Sequence, residues 1–292
     1  MSRQYAAFAV LCLLASAIFW APLSTALTRA LHDEDSTQIL LILPISIALI
    51  WSEWNSRDAK FPATGWAAPA LLFAGILAAV IARWYLAAPD LRTSAGMLAL
   101  VLLWIAAFVL CFGAGAARAA AFPLCFLLWM IPIPSFALVR ITRWLQEGSA
   151  VAASLLFSLF GVPNEREDIL LYIPGLNIEV ARECSSIRSS LMLVVTTMVL
   201  AYVLLRSPWR RALLVLVAIP LSVAKNGLRI FVIGTLGTKV DPGYLTGRFH
   251  HNGGFVFFLI ALSVIFLLLW FLRRGEIYGI RGELGMQGAK HH

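Results

Sequence analysis

Three side chains, far apart in the chain, have the makings of a covalent site. Cys184 sits in the stretch Glu183-Cys184-Ser185-Ser186-Ile187-Arg188, where a polar, strand-like segment meets the apolar run 191–205. That junction reads as the first turn of a membrane helix, with the thiol at the water boundary. Backbone N–H groups at a helix start carry partial positive charge. They favour the thiolate, which is the nucleophilic form of cysteine. Arg229 is a cation inside a later apolar segment, and His250 stands at the mouth of the last one.

Each candidate has an ordinary alternative. An arginine inside a span costs at least about 2.5–3.5 kcal/mol on insertion scales. Near a helix end it can snorkel to the headgroups. Arg229 sits too far in for easy escape, and Lys225 lies one turn deeper on the same face, which favours a functional role. Lys225 and Asn226 either hold a polar network together or meet an anionic substrate group. Arg188 either stabilises the thiolate or meets outer headgroups. Ser185 and Ser186 are ordinary helix-start residues, and their N–H groups are also placed to form an oxyanion hole. His250 and His251 are adjacent, so at most one faces the thiol. Gly253 and Gly254 beside them permit close backbone approach.

Composition sets the surroundings. The chain has 292 residues, of which 61% are hydrophobic and 13% charged, with a mean hydropathy of +0.85. Soluble domains run at about 45–50% apolar and about 25% charged. The chain therefore reads as one all-α integral membrane domain spanning 1–292. Its net charge of +8 is spread through short loops, as membrane orientation requires, so nucleic acid is not expected as a partner. Of the four cysteines, Cys12, Cys111 and Cys125 lie in or near apolar runs and read as small buried hydrophobes. There is no Cys-x-x-Cys or Cys/His ligand spacing, so no metal and no cofactor is expected.

About eight spans are predicted, near 6–23, 39–52, 65–85, 96–112, 119–131, 191–205, 212–236 and 255–272. Between the fifth and sixth, Ile141, Trp144, Leu145, Ala152, Leu155, Leu156, Leu159 and Phe160 recur at helical spacing, with Arg140, Arg143, Gln146 and Glu147 among them. This amphipathic stretch, 139–161, is predicted to lie on the membrane surface. A small extracytoplasmic β-hairpin is expected within 165–183. Its arms are 169–173 and 177–180, its turn is Pro174-Gly175, and it leads straight to Cys184. Residues 273–292 form a cytoplasmic tail.

With the N-terminus in the cytoplasm, the inner segments hold Arg3, Arg57, Lys60, Arg118, Arg206, Arg210, Arg211, Arg273, Arg274, Arg281 and Lys290, eleven cations. The short outer loops hold four: Arg29, Arg92, Lys239 and Arg248. The bias fits the positive-inside rule. It puts Cys184 and His250 at the outer face, with Arg229 roughly 10 Å below it. Three separated residues thus converge on one side of the membrane.

In order and context these residues resemble the exosortase/archaeosortase family of membrane transpeptidase-like cysteine proteases. That family has a Cys opening a membrane helix in a motif like (A/E)CSGxRS, an Arg in NGxR(I/V), and a His ahead of a glycine-rich start to the last helix. Here these are Glu183-Cys184-Ser185-Ser186-Ile187-Arg188-Ser189, Asn226-Gly227-Leu228-Arg229-Ile230 and Phe249-His250-His251-Asn252-Gly253-Gly254. The register selects His250 over His251. Residues 43–51 and 122–134 are similar to the family's second and fifth spans, and the likeness covers roughly 35–272. Ser186 departs from the usual glycine, which barely affects the assignment.

The resemblance implies a Cys184-Arg229-His250 triad in the cell inner membrane, facing outward. It also implies exported protein substrates with a C-terminal sorting signal: a Pro-Glu-Pro motif, a transmembrane segment and a basic tail. Cys184 would attack the scissile carbonyl, Arg229 would steady the oxyanion, and His250 would protonate the leaving amine and activate the incoming nucleophile. The bilayer and an unidentified acceptor complete the partners. The hairpin, through Ile178 and Val180, is expected to offer an edge to an extended substrate. Two other readings stay open. One is hydrolysis without transfer. The other is a non-catalytic transporter or lipid-binding protein that holds an anionic ligand on Lys225 and Arg229.

Overall fold

Long apolar runs punctuated by proline, glycine and short basic turns dictate helices, and helices dominate the computed structural model. It describes residues 2–32, 37–55, 66–180, 187–240 and 254–289. The chain divides into two compact units, Met1–Leu138 and Val139–His292.

In the first unit, α1 (Ser2–Ile18) and α2 (Trp20–His32) replace the one helix expected at 6–23, and α2 runs on past its expected end. They meet at an 82° bend. Pro22 in the first turn of α2 has no N–H for the Ile18 carbonyl, which favours a break at this point. Then come α3 (Ile39–Asn55), with Pro44 inside it, and α4 (Ala67–Trp84). The 31-residue α5 (Pro89–Ala119) kinks at Gly113, whose φ of 88° suits glycine. A ring cluster fastens α1 to α5: Phe8 lies 5.8 Å from Phe108 and 5.4 Å from Phe112. Short α6 (Ala121–Phe126) and a 3₁₀ turn (Leu127–Met130) end at the Pro-Ile-Pro segment. That segment is tied to the start of α5. Ser94 Oγ donates to the Pro132 carbonyl at 2.8 Å, and Asp90 Oδ2 accepts the Ser135 N–H at 2.9 Å. The acidic side chain thereby satisfies an orphan donor at the start of α7 (Ser135–Leu159).

In the second unit, α8 (Ile187–Leu204), α9 (Pro208–Lys239) and α10 (Gly254–Ala289) pack as neighbours. Leu193, Ala201, Leu214, Ala218, Ala261 and Ile265 fill the space among them. At the α8–α9 turn, Glu276 of α10 accepts the N–H groups of Arg206 and Ser207. Arg210 Nη1 donates to the Leu272 carbonyl at 2.6 Å. Gly254–Glu276 is 23 residues, or about 34 Å of helix, close to the roughly 30 Å hydrocarbon core of a bilayer.

Against this trio lie α7 and a three-stranded antiparallel sheet of β1 (Glu165–Glu167), β2 (Leu170–Ile173) and β3 (Leu176–Glu179), in the order β1-β2-β3. β1 lies outside the two arms expected from the sequence; its Glu165-Arg166-Glu167 is charged throughout and exposed. Leu171 pairs with Ile178 and Ile173 with Leu176. This puts one apolar face onto Phe157 of α7 and Ile230 of α9.

The amphipathic stretch has its polarity turned inside out. Ile141, Trp144, Leu155, Leu159 and Phe160 are exposed, while Thr142, Gln146 and Ser149 are buried. Moreover α7 runs alongside α9. A Cβ added at Gly148 would touch Val223, one at Gly227 would touch Ala152, and one at Gly234 would touch Phe157. Among the described residues, five helices are long and apolar enough to cross a membrane, or up to seven if each bent pair is one span. Apolar α3 is shorter than that test requires. The protein is thus a multi-pass α-helical membrane protein.

The α7–α9 approach yields a prediction. A Cβ at Gly227 would sit 2.4 Å from Ala152 Cβ and 3.0 Å from the Ala153 backbone. Gly227→Ala should destabilise the fold by about 1–3 kcal/mol through overpacking. At Gly234 the first atom met is the flexible tip of Ile178, so Gly234→Ala should cost less. Thermal unfolding of the two variants in detergent checks the order.

Candidate functional site

A lysine and an arginine on one face of α9 form the most costly feature of the second unit. Lys225 and Arg229, one turn apart, are 5% and 6% exposed, and Asn226 between them is 1% exposed. In an apolar helix such groups need partners, since an uncompensated buried charge is strongly destabilising. Lys225 Nζ donates to Ser189 Oγ in the first turn of α8. Arg188, Asn226 and Arg229 have interaction partners as well. Lys225 and Arg229 also repel one another, so α9 carries two like charges that its surroundings must hold in place. Helix α9 ends at Lys239 rather than near 236. Arg229 is therefore ten residues, or about 15 Å, from that end, deeper than the sequence suggested.

Two helix starts converge on this pair. Ser189, five residues beyond Cys184, is the α8 contact of Lys225. Gly254, four residues beyond His250, opens α10 against the Arg229 guanidinium; a Cβ there would stand 3.5 Å from Nη1. The close approach expected of the paired glycines is made by Gly254. Cys184, Ser185, Ser186 and His250 themselves lie outside the described residues. The described part of α8 begins at Ile187, and in sequence these positions precede α8 and α10.

The sheet residues take other roles. Val180 is fully buried, and its side chain belongs to the cluster around Phe157. Its N–H donates to the Ile169 carbonyl at 3.0 Å. Its carbonyl accepts from Gln146 Nε2 at 2.8 Å. Ile178 is half-buried and packs against Gly234 of α9. Both side chains serve internal packing, and β3 itself is an edge strand of the sheet. Gln146 was seen only as one polar member of an amphipathic helix. The signal that could have singled it out is its spacing with Thr142 and Ser149, which together make a buried polar stripe.

Of the other cysteines, Cys12 and Cys111 are half-buried and free, as expected of small packing residues, whereas Cys125 is exposed. Among the described residues no three His, Cys, Asp or Glu side chains are grouped to hold a metal ion.

What these elements define is a multi-pass helical membrane protein with a buried cation pair flanked by two helix starts. The chain belongs to the transmembrane exosortase family: the model named Transmembrane exosortase (Exosortase_EpsH) matches residues 27–267. No curated protein and no solved structure matches the chain significantly. Membership points to a membrane peptidase or transpeptidase that processes sorting signals of exported proteins.

The Gly254 contact is testable. At 3.5 Å a methyl is in ordinary contact with Nη1, so Gly254→Ala should leave processing within about twofold of wild type. Gly254→Leu should displace the guanidinium and lower processing by about 100-fold, as a misplacement of about 1 Å can. Precursor-to-product ratios in cells measure both.

Proposed function

We propose that the chain is a membrane-embedded cysteine peptidase or transpeptidase acting at the outer face of the inner membrane. Its substrates are exported proteins that end in a Pro-Glu-Pro motif, a transmembrane segment and a basic tail. The observation that carries this reading is the double contact just described, Lys225 with the start of α8 and Arg229 with the start of α10. An extended chain covers about 3.5 Å per residue. Cys184 and His250 are three and four residues from Ile187 and Gly254. Each is therefore tethered within about 14 Å of an element that already borders the cation pair.

In the proposed reaction the Cys184 thiolate bonds to the scissile carbonyl carbon. The resulting oxyanion is met by Arg229 and by N–H groups at Ser185 and Ser186, a stabilisation that grows where water is scarce. The C–N bond then breaks, and His250 gives its proton to the leaving amine. His250 next removes a proton from the incoming acceptor or water, which attacks the thioester and frees the thiol. Arg188, in the first turn of α8, favours the thiolate, and Asn226 supports the polar surroundings of Arg229. The β3 edge is suited to adding an extended substrate segment as a further strand.

Cys184→Ala should abolish processing in cells, and wild-type enzyme quenched with substrate should carry an acyl group on Cys184. His250→Ala should lose processing while His251→Ala stays near wild type. Arg229→Lys keeps the charge but loses the planar fork, and should fall by about 100-fold. If Cys184→Ala retains full function while Lys225→Met and Arg229→Met lose it, the anion-holding transporter is the better description.

A further inference from the structure

Five arginines meet where α8, α9 and α10 are joined. Arg206 lies in the α8–α9 turn, Arg210 and Arg211 in the first turn of α9, and Arg273 and Arg274 on α10. Hydrogen bonds weld the two segments together. Glu276 accepts the N–H groups of Arg206 and Ser207, and Arg210 Nη1 donates to the Leu272 carbonyl at 2.6 Å. Glu276 is the only carboxylate in 205–211 and 270–276, and its oxygens are taken by backbone. Among the described residues none of the five guanidinium groups forms a salt bridge. Such a concentration of like charge repels itself unless an anion lies against it. Three of the heads are held in place. Arg211 Nε donates to the Leu205 carbonyl at 2.8 Å, with its Cζ 4.8 Å from the centre of the Tyr202 ring. Arg210 Cζ lies 5.3 Å from the centre of the Trp209 ring, and Arg274 Cζ 3.8 Å from that of Trp270. Trp209 is 60% exposed and Trp270 44%, and Arg206, Arg273 and Arg274 are exposed as well. All three helices are long and apolar enough to cross a membrane. The cluster therefore stands at one face of the bilayer, the level at which tryptophan collects.

We propose that this cluster is a binding site for an anionic phospholipid. Arg206, Arg273 and Arg274 hold its phosphate, Arg210 and Arg211 add fixed positive charge behind them, and Trp209 and Trp270 lie against the upper part of its acyl chains. The chemistry fits on three counts. A guanidinium presents paired N–H donors that match two phosphate oxygens. Arginines already fixed on carbonyls and rings lose little freedom when the anion arrives. An indole offers an apolar body and a polar edge to the headgroup boundary. A zwitterionic lipid has the same phosphate but carries its own cation, which the cluster repels. A soluble phosphate has no chains for the indoles to cover. The bound lipid neutralises the cluster and clamps α9 to α10 beside Glu276, at the end remote from Lys225 and Arg229. The site is independent of which residue performs the reaction.

The experiment uses full-length protein purified in a neutral detergent. Dioleoylphosphatidylglycerol, dioleoylphosphatidylcholine or inorganic phosphate is added at equal concentration, and the midpoint of thermal unfolding is read. Native mass spectrometry of the wild type, offered the two lipids in equal amounts, shows which stays bound. The site variant is Arg206→Gln/Arg273→Gln/Arg274→Gln. The control makes the same change of charge in the first unit, as Arg3→Gln/Arg83→Gln/Arg118→Gln. All six side chains are exposed, and the bonds made by Arg210 and Glu276 stay in place. The anionic lipid should raise the wild-type midpoint by about 3 °C or more and be retained at least about threefold over the zwitterionic one. The site variant should lose at least about two-thirds of that rise, and the control should keep it. Inorganic phosphate should give less than about 1 °C. An equal rise from inorganic phosphate overturns the lipid assignment in favour of a soluble anion. An undiminished rise in the site variant overturns the site, as does an equal loss in the control. Equal retention of the two lipids by the wild type does the same, even if the site variant fails to fold.

Discussion

The constraint on which the second unit depends is the presence of two cations, one turn apart, inside a helix otherwise made for hydrocarbon. Lys225 and Arg229 are both nearly inaccessible. Each must find polar company or drive its own segment out of the membrane. The surroundings are arranged accordingly. A serine from α8 receives the lysine. The first residue of α10 is a glycine, so the arginine can lie against its backbone. The repulsion between the two cations is tolerated because these groups come from separate helices that the rest of the unit holds together.

That holding is done by small residues at one level and by apolar packing at others. Gly227 lets the backbone of α9 approach Ala152 and Ala153 on α7, and no larger residue would allow it. Phe157, Leu171, Ile173, Val180 and Ile230 then seal the sheet onto α7 and α9. Further along, the leucines and alanines of α8, α9 and α10 close a second core. Helix α7 joins in with its polar stripe turned inward and its aromatic and aliphatic side chains turned outward, a pattern suited to a solvent of lipid tails. The same periodicity reads as a surface helix when water is assumed to be outside. Periodicity reports two faces, but not which of them meets the protein.

Much of this was legible in the sequence because it depends on local chemistry. The Pro174-Gly175 turn between β2 and β3 and the basic turn before α9 carry their own signatures and lie where they were expected, whereas the apolar runs yield five to seven candidate spans among the described residues rather than about eight. What the sequence hid depends on partners. The break between α1 and α2 turns on one proline in a run that otherwise reads as continuous. Charged β1 forms because β2 offers it an edge. Val180 lies in the cluster around Phe157 and Ile178 packs against it, which only the fold shows. Gln146 and Ser189 were visible as residues, but no spacing rule links positions 146 and 180, or 189 and 225.

At the end of the second unit remote from the cation pair, Glu276 receives two N–H groups of the α8–α9 turn, and Arg210 reaches the Leu272 carbonyl. These bonds rivet the three long helices to one another at that end. The joint leaves little freedom there. Any spreading of α8, α9 and α10 hinges at this joint, as tweezers do. The largest excursion then falls at the ends that border the cation pair.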